Sequence, residues 1–212
     1  MKNDINLCKK NISNYSNQLP YTNGSGLTQG FSESPWIETY SGRRFCPTDP
    51  NPEAIVIQDI AHALSMQCRF SGHSSKFYSV AQHSVGVSYL CDAQDALWGL
   101  LHDASEAYLV DIPHPLKASG QFDDYIKFEK RMMEAVCQRF NLPALEPASV
   151  KKADKMLLAM EFKVLMKHRC DTNQNMILPF VIEPMDPESA KKLFLHRFFE
   201  LQGIVVDSLE QL

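Results

Sequence analysis

At 212 residues, with 44% hydrophobic and 22% charged side chains, the chain is long enough to bury one sizeable core and has the balance of an ordinary folded domain. A net charge of −4 and a sequence pI near 6.0 exclude the global basic field that draws nucleic acid or anionic membranes. The six cysteines are scattered without a Cys-x-x-Cys pair, which argues against a zinc knuckle or a disulfide framework. There is no N-terminal apolar signal segment, and no run approaches the roughly eighteen apolar residues of a membrane span, so the expectation is a cytoplasmic protein.

Residues 1–34 are rich in Asn, Ser, Gly and Gln and read as an extension outside the core, with one short candidate helix at 5–15. Apolar and polar residues alternate from Trp36 to Phe45 around Ser41-Gly42, a hairpin pattern. Pro47, Pro50 and Pro52 mark a loop, with Asp49 or Asn51 able to cap the next segment. Helical spacing of Ile57, Ile60, Ala61, Leu64 and Cys68 predicts a helix that Ser71-Gly72 ends. A second helix is predicted from Val80 to about Leu90, with Val80, His83, Val87 and Leu90 on one stripe. A third starts at Asp92 or Gln94 and runs to about Val110, where Asp111-Ile112-Pro113-His114-Pro115 cannot continue it. Phe122–Phe140 and Pro147–Lys167 read as long amphipathic helices, with a loop at 169–184 after them. Asp186-Pro187 opens a last helix to about Leu201. The fold class is all-α: a compact bundle of six or seven helices with a small N-terminal β-hairpin. The extension 1–34 precedes a domain at 35–203, and 204–212 form a tail.

The chemistry concentrates in Trp98–Asp111. On a helix, His102, Asp103 and Glu106 share one face, flanked by Leu100, Leu101 and Leu109. Buried charges need a partner or a metal, so the alternatives are a metal site or a surface helix with ordinary polar residues. Short connections make sequential helices neighbours, which brings His83 toward His102 and Asp103. Two imidazoles and a carboxylate suit a divalent transition metal. Asp154 is the best fourth ligand because it lies on the apolar stripe of Val150, Leu157 and Leu158; otherwise it is a solvated Asp between lysines. Among the other histidines, His62, His168 and His196 read as structural or surface residues.

His83, His102-Asp103 and Asp154 in this order resemble the H…HD…D signature of the HD-domain metal-dependent phosphohydrolases. The run His102-Asp103-Ala-Ser-Glu106-Ala-Tyr-Leu-Val-Asp111-Ile-Pro113-His-Pro115-Leu-Lys117 is similar to the branch of bacterial 5′-deoxynucleotidases and small phage deoxynucleoside-triphosphate hydrolases, as is Arg69-Phe70 upstream. The resemblance covers roughly Trp36 to Phe199. It implies an HD-domain helical bundle holding one divalent ion (Co, Mn, Zn, Fe or Mg), with a second ion able to arrive on the substrate. It implies hydrolysis of a dNMP to deoxynucleoside and phosphate, or of a dNTP to deoxynucleoside and triphosphate. Glu106 is then an acid or base, and Asp111 orients water or contacts the sugar. Arg69 and Lys117 take phosphate; Lys151, Lys76 and His73 reach a longer phosphate chain or stand in solvent. Phe70 and Pro115 shape a nucleoside pocket, with His114 a further phosphate contact. Relatives suggest a homo-oligomer, with a small-molecule nucleotide rather than nucleic acid as partner. Two departures stand out: Gln82 replaces a frequent Glu and softens a charged contact behind the metal, and Phe70 replaces a frequent Trp. The competing reading is a non-catalytic HD module that senses nucleotide or metal.

Overall fold

The first described elements form a short antiparallel ribbon, β1 (Ile37–Glu38) and β2 (Arg44–Phe45), in the register Ile37↔Phe45 and Glu38↔Arg44. Gly42 sits in its turn at φ 78°, a conformation that costs an L side chain and not glycine. Phe45 is the inward residue and stacks on Tyr108 at 4.2 Å. The structure is a computed structural model and describes residues 35–167 and 178–206. The candidate helix at 5–15 and His168 lie outside the described residues.

The remaining elements are helical. Asn51 caps a 3₁₀ turn at Pro52–Ala54 by accepting from Glu53 N. Helix α1 (Ile57–Met66) buries Ile57, Ile60, Ala61 and Leu64, the predicted stripe. It stops before Cys68, because Arg69–Gly72 form a separate 3₁₀ turn in which Phe70 and Ser71 adopt positive φ of 55° and 51°. Helix α2 (Val80–Leu90) is capped by Ser79. Every residue from Val80 to Ser88 is buried, not one stripe, and Leu90 is only half-buried. A helix apolar or small all round is an inner helix, and α2 packs on α1, α3 (Ala96–Leu101), α7 (Ala148–Leu165) and α8 (Pro187–Leu201).

Two glycines set how closely α2 approaches. A Cβ on Gly86 would lie 2.6 Å from Leu157 Cδ2 on α7, and one on Gly99 would lie 2.8 Å from Cys91 Sγ and 3.2 Å from Ser88 Cα.

The predicted third helix does not run unbroken to Val110. It ends as α3 at Leu101, turns through His102–Ser105, and resumes as α4 (Glu106–Leu109). The turn is tightened by i→i−3 hydrogen bonds, Ala104 N to Leu101 O and Glu106 N to Asp103 O, both 3.0 Å. Val110, at φ 62°, closes the segment, and α5 (His114–Lys117) starts after the first of the two prolines. Helix α6 (Asp123–Phe140) ends at Asn141 in the left-handed conformation. Asp186 caps α8 by accepting from Ser189 N.

Two apolar clusters meet along α2. One gathers Ile60, Leu64, Leu100, Leu101, Met132 and Phe194; the other Tyr78, Val87, Trp98, Val150 and Leu157. The first extends to Ile204 and Val206, so packing continues past Gly203. The architecture is a mostly helical bundle with a two-stranded hairpin, and no described helix is long and apolar enough to cross a membrane.

Candidate metal centre and its cavity

Because α2 lies tight against α3 and α7, His83 meets the His102 turn on one side and α7 on the other. Ligand-type atoms of His83, His102 and Asp103 all lie within 4.8 Å of one another. The imidazole centroids are 5.2 Å apart. Asp103 Oδ2 is 3.1 Å from His102 Nε2 and 4.0 Å from His83 Nε2. Asp154 joins through His83, its Oδ1 3.1 Å from Nε2. The tight turn is what allows His102 and Asp103, adjacent in sequence, to address the same point.

The hydrogen bonds behind the imidazoles determine what faces forward. His102 Nδ1 is 2.8 Å from the carbonyl of Gly99, which only accepts, so Nδ1 carries the proton. His83 Nδ1 is likewise 2.8 Å from Glu161 Oε1. In the neutral rings both Nε2 atoms then present lone pairs toward the aspartates. His102 Nε2 is buried and makes no hydrogen bond, since Asp103 Oδ2 lies off the line one needs. Lone pairs facing carboxylates require positive charge between them. A proton on His102 or a divalent ion can supply it, and this donor set of imidazole nitrogens and carboxylate oxygens is compatible with such an ion. With no ion between the groups, a proton meets the same need for positive charge. Burial opposes a charged His102, but the adjacent Asp103 outweighs it and lifts the imidazole to about 9. Asp103 in turn is only half-buried; the partial loss of solvent opposes its charge, yet His102, His83 and Arg69 hold it far below the usual carboxylate range.

Asp103 and Asp154 carry this group onto the wall of a cavity of about 660 Å³, within the range of small-ligand sites. Arg69, Phe70, Glu106, Asp111, His114 and Pro115 share the wall. Glu106 is buried, and burial plus the charges of Asp103 and Asp111 raise its carboxyl well above the usual range. Asp111 is half-exposed and held 2.9 Å from Lys117 Nζ.

The lysines expected at phosphate do not themselves line the cavity. Lys117 is off the cavity wall, clamped between Asp111 and Glu129, 2.8 Å from the latter, because α6 brings Glu129 beside α5. Lys151 is exposed on α7 and pairs with Glu146 at 3.4 Å. Lys76 and His73 are exposed in the loop before α2, away from the cavity wall. His62 stacks on Tyr40 at 3.8 Å, outside the centre.

Gln82 does not sit behind the metal group. Its amide donates to Glu183 O at 2.9 Å and accepts from Met185 N at 3.1 Å. It fastens the 183–185 backbone to α2, a task that needs a donor and an acceptor, so its neutral character has no bearing on the imidazoles. The carboxylate that does stand behind His83 is Glu161, absent from the sequence-based candidates. Its other oxygen accepts from Arg69 Nε at 3.0 Å, and the Tyr78 hydroxyl stands near it. Burial disfavours its charge, but His83 and Arg69 overcome this and lower its pKa. One signal was present in the sequence: Glu161 lies seven residues after Asp154, two helical turns along the same face, beside Leu157. Phe162, edge-on to Phe70 at 5.1 Å, also lines the cavity.

No family model matches the chain. It is similar to the uncharacterized protein YfdR of Escherichia coli (strain K12), 38% identical over 179 residues that cover 80% of this chain and 97% of that protein. It is also similar to the uncharacterized protein RCAP_rcc00048 of Rhodobacter capsulatus, 40% identical over 130 residues that cover 57% of this chain and 65% of that protein. Identity sustained along nearly all of YfdR is far more than a shared short motif, and the chain belongs to the same family as YfdR.

Proposed function

We propose that the chain is an HD-type, divalent-metal-dependent phosphohydrolase that converts a deoxynucleoside monophosphate to deoxynucleoside and phosphate. The observation that carries this reading is the pair of imidazoles with Nδ1 protons held from behind, their Nε2 lone pairs converging on Asp103 and Asp154 at the cavity wall. The monophosphate is favoured over the triphosphate by charge. Among the described residues the wall bears the carboxylates of Asp103, Asp111 and Asp154 and the proton-holding carboxyl of Glu106, against one guanidinium, that of Arg69. One phosphate suits this balance, whereas a triphosphate would have to bring a second cation with it.

A divalent cation held by His83, His102, Asp103 and Asp154 would supply Lewis acidity toward a phosphoryl oxygen and toward water. Arg69, tied to Glu161 and 3.9 Å from Asp103, offers its remaining N–H groups to the other phosphate oxygens. Phe70 and Phe162 provide an apolar surface for the nucleoside, and Asp111 accepts from a sugar hydroxyl. Glu106 holds a proton because of where it is buried. As water adds to phosphorus and the P–O5′ bond breaks, Glu106 gives that proton to the departing 5′ oxygen, so the nucleoside leaves neutral.

Chromatography of products from each dNMP and dNTP, with the full chain and added Mn²⁺ or Co²⁺, tests this reading. Free deoxynucleoside from dNMPs is expected. Nucleoside and triphosphate from dNTPs would move the assignment to the triphosphate hydrolase. Tight nucleotide binding with no turnover of either would replace the enzyme with a sensor.

A further inference from the structure

Glu161 is fully buried, yet three polar groups from outside its own helix converge on it. Oε1 receives His83 Nδ1 from α2, Oε2 receives Arg69 Nε from the 3₁₀ turn, and the Tyr78 hydroxyl stands near it from the segment before α2. His83 belongs to the metal group and Arg69 to the cavity wall, so one carboxylate joins the two halves of the site. We infer that Glu161 is the positioning residue of the centre, making His83 a ligand through one oxygen and aiming Arg69 at the substrate phosphate through the other. The inference rests on the metal-dependent reading above.

The reasoning is one of donors and acceptors. An imidazole presents a lone pair at Nε2 only while its proton stays on Nδ1, and a buried acceptor at Nδ1 keeps it there. A guanidinium has donors only, so the group that orients Arg69 must also accept. A carboxylate satisfies both with its two oxygens. An amide of the same shape has one oxygen and one NH₂, so it satisfies His83 or Arg69 but not both. If its NH₂ faces His83, Nδ1 must become the acceptor and the proton moves to Nε2, which removes the lone pair. If its NH₂ faces Arg69, the guanidinium is pushed off its mark. Arg69 also reaches Asp103 at 3.9 Å, so a shift there touches a second member of the metal group.

Calorimetric titration of the full chain with Mn²⁺ alone, and then of the Mn²⁺-saturated chain with inorganic phosphate, reads the two arms separately. Glu161→Gln is expected to weaken at least one of the two isotherms by about 10- to 100-fold, the usual range for loss of a partner behind a metal-binding histidine. Glu161→Ala is expected to weaken both. Tyr78→Phe removes a neighbour of the same carboxylate without touching His83 or Arg69, and both of its isotherms are expected within about twofold of the unaltered chain. Glu161→Gln isotherms that both stay within twofold would overturn the inference. So would a Tyr78→Phe loss as large as that of Glu161→Gln, which would make Glu161 a packing residue. The Gln variant keeps the shape and volume of Glu161, so the test stands if the Ala variant does not fold. An unaltered chain that binds no Mn²⁺ would instead remove the metal reading itself, before any variant is compared.

Discussion

Gly99→Ala tests whether the α2–α3 crossing holds the metal group in place. The added Cβ would sit 2.8 Å from Cys91 Sγ, 3.2 Å from Ser88 Cα and 3.4 Å from Ser88 N. The thiol can turn aside, but the Ser88 backbone cannot, so the helices must part by a few tenths of an ångström. Ser88 is tied to two helices: its Oγ donates to Ala96 O of α3 at 2.8 Å, and it accepts from Arg197 of α8 through Oγ at 3.0 Å and O at 3.2 Å. Overpacking of this kind costs about 1–3 kcal/mol. Alanine returns ~1 kcal/mol through helix propensity, because Gly99 lies inside α3. The net expectation is up to about 2 kcal/mol of destabilisation, or a Tm lower by up to ~8 °C for a chain of this size. The effect on the site should be larger in proportion. Gly99 O holds His102 Nδ1 at 2.8 Å, and His83 rides on the opposing helix, so parting the helices moves the two imidazoles relative to each other. Functional constellations tolerate roughly 0.5 Å of such displacement. A shift of a few tenths of an ångström uses up most of that tolerance, so Mn²⁺ affinity is expected to fall by up to about tenfold, read by calorimetry beside a thermal melt. A Gly99→Ala chain that melts higher than the unaltered protein and binds Mn²⁺ equally well would refute the claim that this contact sets the spacing.

The same geometry has four further consequences. Glu106→Gln is expected to lower kcat on a dNMP by roughly 10²–10⁴-fold, the usual contribution of a proton donor; the unaltered chain should lose activity as pH rises through the elevated Glu106 pKa, and a steady-state pH profile of both proteins checks the pair. The same shift has a stability signature in the metal-free protein. Because the folded-state pKa lies above the unfolded value, the folded chain binds the extra proton, and that stabilisation is present below the unfolded pKa and lost as pH rises through the folded one; thermal melts across pH should show this decline and its absence in Glu106→Gln. Gln82→Glu cannot donate to Glu183 O and is expected to cost about 1–3 kcal/mol in denaturant unfolding while leaving Mn²⁺ affinity within twofold. Metal binding itself should raise Tm: at an ion concentration about 1,000 times Kd the stabilisation is ~4 kcal/mol, some 8–16 °C, reversed by a chelator in a thermal-shift assay.

Much of this molecule was legible locally. Ser79 and Asp186 announce helix starts through side chains that bond the next turn, and Asn141 and Gly42 mark places where the backbone turns left-handed. The helical periods around Ile57, Phe122 and Val150 gave α1, α6 and α7 within a few residues. His83, His102, Asp103 and Asp154 stood out because charged or ligating residues were set among apolar ones, and the fold draws them together. Where the sequence reading went astray, a longer-range contact had overruled a local pattern. The run from Ala96 to Leu109 reads as one helix, but the chain tightens at His102 so that two adjacent side chains reach one point. Lys117 reads as a phosphate contact, and the fold holds it between Asp111 of the cavity wall and Glu129, twelve residues on.

The sequence by itself therefore determined the helices, the hairpin and the identity of the groups able to bind a cation, because those depend on capping, periodicity and the chemistry of single residues. The tertiary structure alone decided their partnerships. Glu161 lies 78 residues from His83 and 92 from Arg69, and nothing local states that one carboxylate serves both. That assignment depends on how far α7 and α3 rotate and approach around α2, distances fixed by the missing Cβ atoms of Gly86 and Gly99. A donor and an acceptor must come within about 3 Å to recognise each other, and only the packed core sets separations on that scale between residues so distant along the chain.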